Sequence, residues 1–241
     1  MSELDRYLRQ QRELYGDPLV LEASPARAPQ GSPSGITAGR EAVPSARGDE
    51  PWQSATTLAA LDSMICGCLH CALGQTRTRF VFGVGNPHAD IVVIGEAPGA
   101  DEDAQGEPFV GRAGQLLNKI LEAVEIAREE VFICNILKCR PPNNRDPLPS
   151  EVAQCEPYLH AQLALIRPKI MLALGRIAAQ TLLRTNASLT TLRATTHAYQ
   201  GIPLMVTYHP AALLRNPNWK RPTWEDVQRF KSAYVALLGQ G

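Results

Sequence analysis

Residues 90–97 read DIVVIGEA, and the four consecutive β-branched side chains Ile91, Val92, Val93 and Ile94 run straight into Gly95. An apolar run with no polar alternation is what a strand buried on both faces requires. Three further runs of this kind follow: VFICNIL at 131–137, KIMLALG at 169–175 and PLMVTYH at 203–209. Helical patterns fall between them, near 112–126, 150–166, 175–184 and 223–238. Strands alternating with helices predict a three-layer α/β/α sandwich around a central, mainly parallel four-stranded sheet. In such sheets ligands bind beyond the carboxyl ends of the strands, so the residues just after each run are the ones to inspect.

The whole chain has 241 residues, 44% hydrophobic and 20% charged, the composition of a soluble globular protein. It has no apolar run of about 18 residues and no basic-then-apolar amino terminus, so a cytosolic protein without a membrane contact is expected. The formal net charge is zero, which excludes a global basic field as the means of attracting nucleic acid. Any such attraction has to be local. The predicted domain spans 54–241. Before it, residues 1–53 read as a tail, with Leu4, Tyr7, Leu8 and Leu14 at helical spacing over 1–15 and a linker rich in Ala, Pro, Gly and Ser over 22–53. A short helix on a linker is the arrangement of a tethered peptide that binds a protein partner.

A cytosolic chain keeps its thiols reduced, so the six cysteines are read as metal ligands before disulfides. Cys68 and Cys71 form a C-x-x-C pair, which one turn can aim at a single centre. Cys139 and Cys155 flank a proline-rich loop and a helix start. Four thiolates suit a tetrahedral zinc or a four-iron cluster equally, and spacing does not separate the two. Cys66 competes with Cys68 for the register, and Cys68 is preferred because C-x-x-C closes on one metal more readily than C-x-C. Cys134, inside an apolar strand, reads as a small buried hydrophobe.

The first strand opens into the turn GEAPGADED, residues 95–103, and then into GEPFVGRAGQLL. Such a turn brings backbone and carboxylates close to a ligand. Asp101 to Asp103 read equally well as solvated acids at a helix start, and Phe109 as core or as a stacking platform. After the last strand, YHPAALLRNP places His209 at a strand end beside Leu213, Leu214 and Arg215.

The order of C-x-x-C, GEAPG, EPFVGRAGQLL, NILKCRPPNNR, a fourth cysteine and HPAALLRNP resembles the family 4 uracil-DNA glycosylases, over about 68–234. The resemblance implies a 4Fe-4S cluster on Cys68, Cys71, Cys139 and Cys155. It implies a monomeric hydrolase in the cytoplasm, at the nucleoid, that flips uracil out of DNA and cuts its N-glycosidic bond. Extrusion is needed because the reacting atoms are unreachable inside a duplex. Leu213 or Leu214 would then fill the vacated stack, with Arg215 on a phosphate or base edge. The resemblance puts Phe109 face-on to the base and Glu102 near the position of a thymine methyl. Asn135, at a strand end, has an amide that pairs with uracil N3–H and O4 and mismatches cytosine. His209 would donate to O2 as charge develops there. The GEAPG turn, with Gly95 against the base and Glu96 and the Ala97 backbone beyond it, would hold the attacking water. Ala97 stands where other glycosylase families place an aspartate, which leaves the water-activating group open.

Two other readings compete. One is a damage-binding or replication-associated iron–sulfur protein of the same fold without hydrolysis. The other is a zinc-holding nucleotide-binding α/β protein.

Overall fold

The computed structural model describes residues 50–239. The expected amino-terminal helix and most of the linker lie outside the described residues. Six strands form one sheet: β1 (Val84–Gly85), β2 (Ile91–Gly95), β3 (Phe132–Asn135), β4 (Ile170–Leu174), β5 (His197–Tyr199) and β6 (Ile202–Thr207), in the order β1-β3-β2-β4-β6-β5. The inner four, β3-β2-β4-β6, are parallel, and β1 and β5 add antiparallel edges. The four apolar runs therefore became the parallel core of a sheet that is wider than expected. The two edge strands have two and three residues, too few to write a periodicity into the sequence.

Every residue of β2 and β4 is buried. Side chains alternate across a strand, and Val92, Ile94, Met171, Ala173, Leu204 and Val206 join one core cluster with Leu61 and Ile65 of α1 (Leu58–Ile65). The same cluster takes Tyr158, Leu159 and Leu163 from a long helix that begins at a proline, Pro149, where the missing N–H costs nothing. In chain order the helices after α1 are α2 (Leu73–Thr76), α3 (Ala100–Gln105), α4 (Arg112–Glu122), α5 (Pro149–Ile166), α6 (Arg176–Leu183), α7 (Leu189–Arg193), α8 (Pro210–Arg215) and α9 (Lys220–Leu238). They lie on both sides of the sheet. A fully buried Val, Ile or Leu stabilises by about 1.5–3 kcal/mol, and α4 alone buries Leu116, Leu117, Ile120 and Leu121.

Trp52, within the stretch read as linker, is buried and sets its ring edge-on against Tyr158 at 5.1 Å between centroids. A single indole between polar neighbours leaves no periodic trace, yet it covers the flank of α5. What matters for the site is register. Gly95 pairs with Asn135 and Leu174 with Thr207, so β2, β3, β4 and β6 all end at one edge of the sheet.

Candidate active site at the carboxyl edge of the sheet

Along that edge lies a cleft of about 730 Å³, lined among others by Glu96, Ala97, Glu102, Phe109, Asn135 and His209. Asn135 ends β3 and is 2% exposed, and its Oδ1 is a buried acceptor with no hydrogen-bond partner. Leaving such a group unpaired costs about 1–3 kcal/mol. The facing position has to be glycine. A Cβ on Gly95 would come within 2.2 Å of Asn135 Oδ1 and 2.8 Å of Phe109 Cζ. Behind Asn135, the completely buried Lys138 donates through Nζ to the Asn135 carbonyl at 2.8 Å and to Gln162 Oε1 at 2.6 Å. Gln162 in turn donates to the Phe82 carbonyl at 2.9 Å, so the strand end is braced from within.

Phe109 is held in the left-handed backbone region at φ 55°, which is strained for a bulky side chain and is tolerated only where the surroundings enforce it. Two features enforce it. A Cβ at Gly114 would lie 1.7 Å from the Phe109 carbonyl oxygen, so only glycine lets α4 come this close. Glu102 accepts from the N–H groups of Gly99, Val110 and Gly111 at 3.1–3.2 Å, tying the two loops together. Asp103 is buried and accepts from Thr78 N–H at 2.9 Å, so the reading of these acids as solvated does not hold for it. Its carboxylate anchors a distant loop.

The Phe109 ring stacks with His209 at 5.5 Å and 29° between planes. His209 Nδ1 accepts from the Ala211 N–H at 3.1 Å, which puts the proton of the neutral ring on Nε2. Burial, helped by the charge of Arg215, pushes the imidazole pKa down to about 4, so the ring is neutral at physiological pH. Gly175, at φ 89°, lets the β4–α6 turn sit against this histidine, where a Cβ would be 2.9 Å from the His209 Cβ. Glu96 lines the same cleft. Burial, and then the nearby Asp146, raise its pKa to about 7 against the lowering effect of Arg176.

Cys68 and Cys71 lie between α1 and α2, Cys139 in the β3–α5 connection and Cys155 in α5. Cys139 and Cys155 are buried, Cys68 and Cys71 pack against the same core cluster, and Cys134 is a fully buried strand residue, as its context implied. Hydrogen-bond donors converge on three of the four sulfurs. Tyr158 donates to Cys68 Sγ at 3.2 Å, Arg77 to Cys139 Sγ at 3.4 Å and the Lys138 N–H to Cys155 Sγ at 3.2 Å. Burial pushes the thiols of Cys139 and Cys155 up to about 11 and about 12, and the neighbouring cysteines add to both. Cys66 is exposed beyond the end of α1. Among the described residues, no three His, Cys, Asp or Glu groups converge as the ligands of a single metal ion.

The model of the uracil DNA glycosylase superfamily matches residues 82–228. The chain belongs to the uracil DNA glycosylase superfamily. Among curated relatives, the type-4 uracil-DNA glycosylase of Archaeoglobus fulgidus is 45% identical over 174 residues, covering 69% of this chain and 87% of its own. The type-4 protein of Thermotoga maritima is 43% identical over 169 residues, 68% of this chain and 88% of that one. A type-5 uracil-DNA glycosylase of Thermus thermophilus is 30% identical over 155 residues, 54% of this chain and 68% of the relative.

On this superfamily scaffold, the helix that follows His209 corrects one expectation. Leu213 is 2% exposed and faces the interior, so it is not available to enter DNA, whereas Leu214 is 48% exposed. Neighbours on a helix point about 100° apart, so only one of the pair can face outward. Arg215 lines the cleft. Sequence reasoning missed Lys138, Gly114 and Gly175. The glycines are visible in GRAGQLL and LALGR, but what they make room for is not. Nothing in the sequence marks Lys138 as buried.

Proposed function

We propose that this chain is a uracil-DNA glycosylase that hydrolyses the N-glycosidic bond of uracil in DNA and so initiates base excision repair. The observation that carries this is the unpaired, buried Asn135 Oδ1, set in one cleft with the stacked pair Phe109 and His209. Uracil offers N3–H to that oxygen and O4 to the amide N–H. Cytosine offers the reverse at both atoms and would leave the amide mismatched in a buried site, a penalty large enough to discriminate. Phe109 supplies the face on which the base stacks, which is worth about 1–3 kcal/mol and favours no base in particular. Glu102, its carboxylate committed to three backbone donors, is the fixed wall against a thymine methyl.

As the C1′–N1 bond breaks, negative charge gathers on uracil O2 and N1. His209, neutral and protonated on Nε2, donates there without any proton having to move first. Removing a donor of this kind typically costs about 10²–10³ in rate. The attacking water adds its oxygen to C1′ and gives its proton to Glu96, whose pKa of about 7 suits a general base at neutral pH. Ala97, which also lines the cleft, contributes only its backbone. Leu214 fills the gap left in the stack, and Arg215 contacts the phosphate chain.

Cys68, Cys71, Cys139 and Cys155 fit a 4Fe-4S cluster: four reduced thiols with three hydrogen-bond donors on their sulfurs, of the kind that tune such centres. A four-iron cluster also holds its thiolates further apart than a single ion does. When bound, it supplies a covalent cross-link among the α1–α2 loop, the β3–α5 connection and α5, with no electron needed for hydrolysis. Incubation with a uracil-containing oligonucleotide, followed by alkali, tests the function. Strand scission at the uracil position is expected, and binding without scission would favour the non-hydrolytic reading.

A further inference from the structure

Tyr208 stands immediately before His209 and stacks on Trp219 at 5.0 Å between centroids and 10° between planes. The Arg193 guanidinium carbon lies 4.4 Å from the centroid of the same tyrosine ring. One ring face cannot hold both partners, so Tyr208 is clasped between them. The arginine is anchored deep in the protein. It pairs with the buried Asp226, which also accepts from Thr207 Oγ1 at 2.7 Å, and it donates to the Pro222 carbonyl at 2.8 Å. Trp219 is pinned by its backbone, whose N–H donates to the Asn216 carbonyl at 3.2 Å and whose carbonyl accepts from Thr223 at 2.7 Å. The residue nevertheless remains 36% exposed, an unusual place for a tryptophan held so firmly. Both aromatic residues line the cleft that contains Asn135, Phe109 and His209.

We propose that Trp219 is a stacking platform for the nucleobase next to the extruded uracil on the same DNA strand. The inference rests on the uracil-excision reading and adds a second base subsite to it. The occupant follows from continuity and charge. Phe109, His209, Tyr208 and Trp219 line one cleft, so a nucleotide whose base stacks on Phe109 and meets His209 through O2 has its neighbour one phosphate away, on the side of the tyrosine–tryptophan stack. Arg215 lines the same cleft and offers a cation for the linking phosphate. When the uracil is extruded, the base beside it loses a stacking partner, and on a single strand, which has no opposite strand to hold that base, a flat indole backed by Tyr208 and Arg193 replaces it. Stacking of this kind accepts any base, so the subsite raises affinity without narrowing sequence context.

The experiment uses the whole protein and single-stranded oligonucleotides that carry uracil flanked by thymines, or by an abasic analogue on the 5′ or the 3′ side. Excision is followed as kcat/KM, and binding as fluorescence anisotropy of the labelled strand. Trp219→Ala is expected to lower kcat/KM about ten-fold, within the range that base–aromatic stacking supplies, and Trp219→Phe to restore most of it. Removing one flanking base should cost the wild type a similar factor and cost Trp219→Ala nothing more. Inhibition by free uracil should be unchanged in both variants. Independent, multiplying losses from the variant and from the missing base would overturn the proposal, as would a parallel weakening of uracil inhibition, which would make Trp219 a wall of the pocket. If the wild type binds the strands but excises nothing, the reading of function fails, and anisotropy still decides the platform by the same comparison.

Discussion

The Nζ of Lys138 donates to the main-chain carbonyl of Asn135 at 2.8 Å, while the backbone N–H of the same lysine donates to Cys155 Sγ at 3.2 Å. One residue thus braces the base-reading end of β3 through its side chain and meets a sulfur of the proposed cluster through its backbone, which joins the two sites through a single residue.

Lys138→Met leaves the Asn135 carbonyl and Gln162 Oε1 without their donor. Each orphaned acceptor costs about 1–3 kcal/mol, so a loss of roughly 3 kcal/mol in unfolding free energy is expected, together with reduced uracil excision. Denaturant melts compare Lys138→Met, Gln162→Leu, which orphans the Phe82 carbonyl in its turn, and the double variant. The loss in the double variant should be smaller than the sum of the two single losses, and strictly additive losses would contradict the pairing.

Asn135→Asp replaces an amide donor with a second acceptor facing uracil O4. Excision of uracil should fall by at least about 100-fold, the scale on which mismatched buried polar groups discriminate. Gly95→Ala should do similar damage by another route, since its Cβ would stand 2.2 Å from Asn135 Oδ1. Single-turnover kinetics on uracil- and cytosine-containing strands measure both, and wild-type rates in either would reject the assignment of the pocket.

Glu96 titrates at about 7 and His209 at about 4, both because burial disfavours their charged forms. A general base must be deprotonated, so kcat/KM should rise with pH below about 7 and level off above it. The neutral form of His209 persists throughout that window, so no second limb is expected between pH 5 and 9. Glu96→Gln should remove the rising limb along with most of the rate. A wild-type profile flat from pH 5 to 8 would exclude Glu96 as the base.

Cys139→Ser should yield a colourless protein with a lower melting temperature, because the proposed cluster holds the β3–α5 connection in place. Visible absorption, iron content and a thermal melt on the same preparation check this. A brown, equally stable variant would remove Cys139 from the ligand set.

Leu213 and Leu214 should separate cleanly. Leu213→Ala empties a buried site and should cost about 2–5 kcal/mol of stability. Leu214→Ala should leave the melt within about 0.5 kcal/mol and lower excision from duplex more than from single-stranded DNA, where no stack has to be refilled. Equal effects of Leu214→Ala on both substrates would remove it as the wedge.

Much of the site was legible before any coordinates, because its residues follow apolar runs whose burial is a one-dimensional signal. Asn135 ends VFICN and His209 follows LMVTY, so finding the strands already located them. Phe109 was open between core and platform, and the structure buries it at the cleft with its ring stacked on His209. Leu213 and Leu214 read identically in one dimension and diverge because a helix turns one inward and the other out. Trp52 escaped notice because its burial depends on Tyr158, more than a hundred residues further along the chain.

The parallel direction of the four inner strands, the family and the chemistry of the strand-end groups were written in local patterns of hydrophobicity and in motif order. The orphaned oxygen of Asn135, the proton on Nε2 of His209, the raised Glu96 carboxyl and the clasped Tyr208 were not. Each of these is set by atoms from segments far apart in the chain, and solvation, tautomer and ring contacts exist only once folding has brought those atoms together.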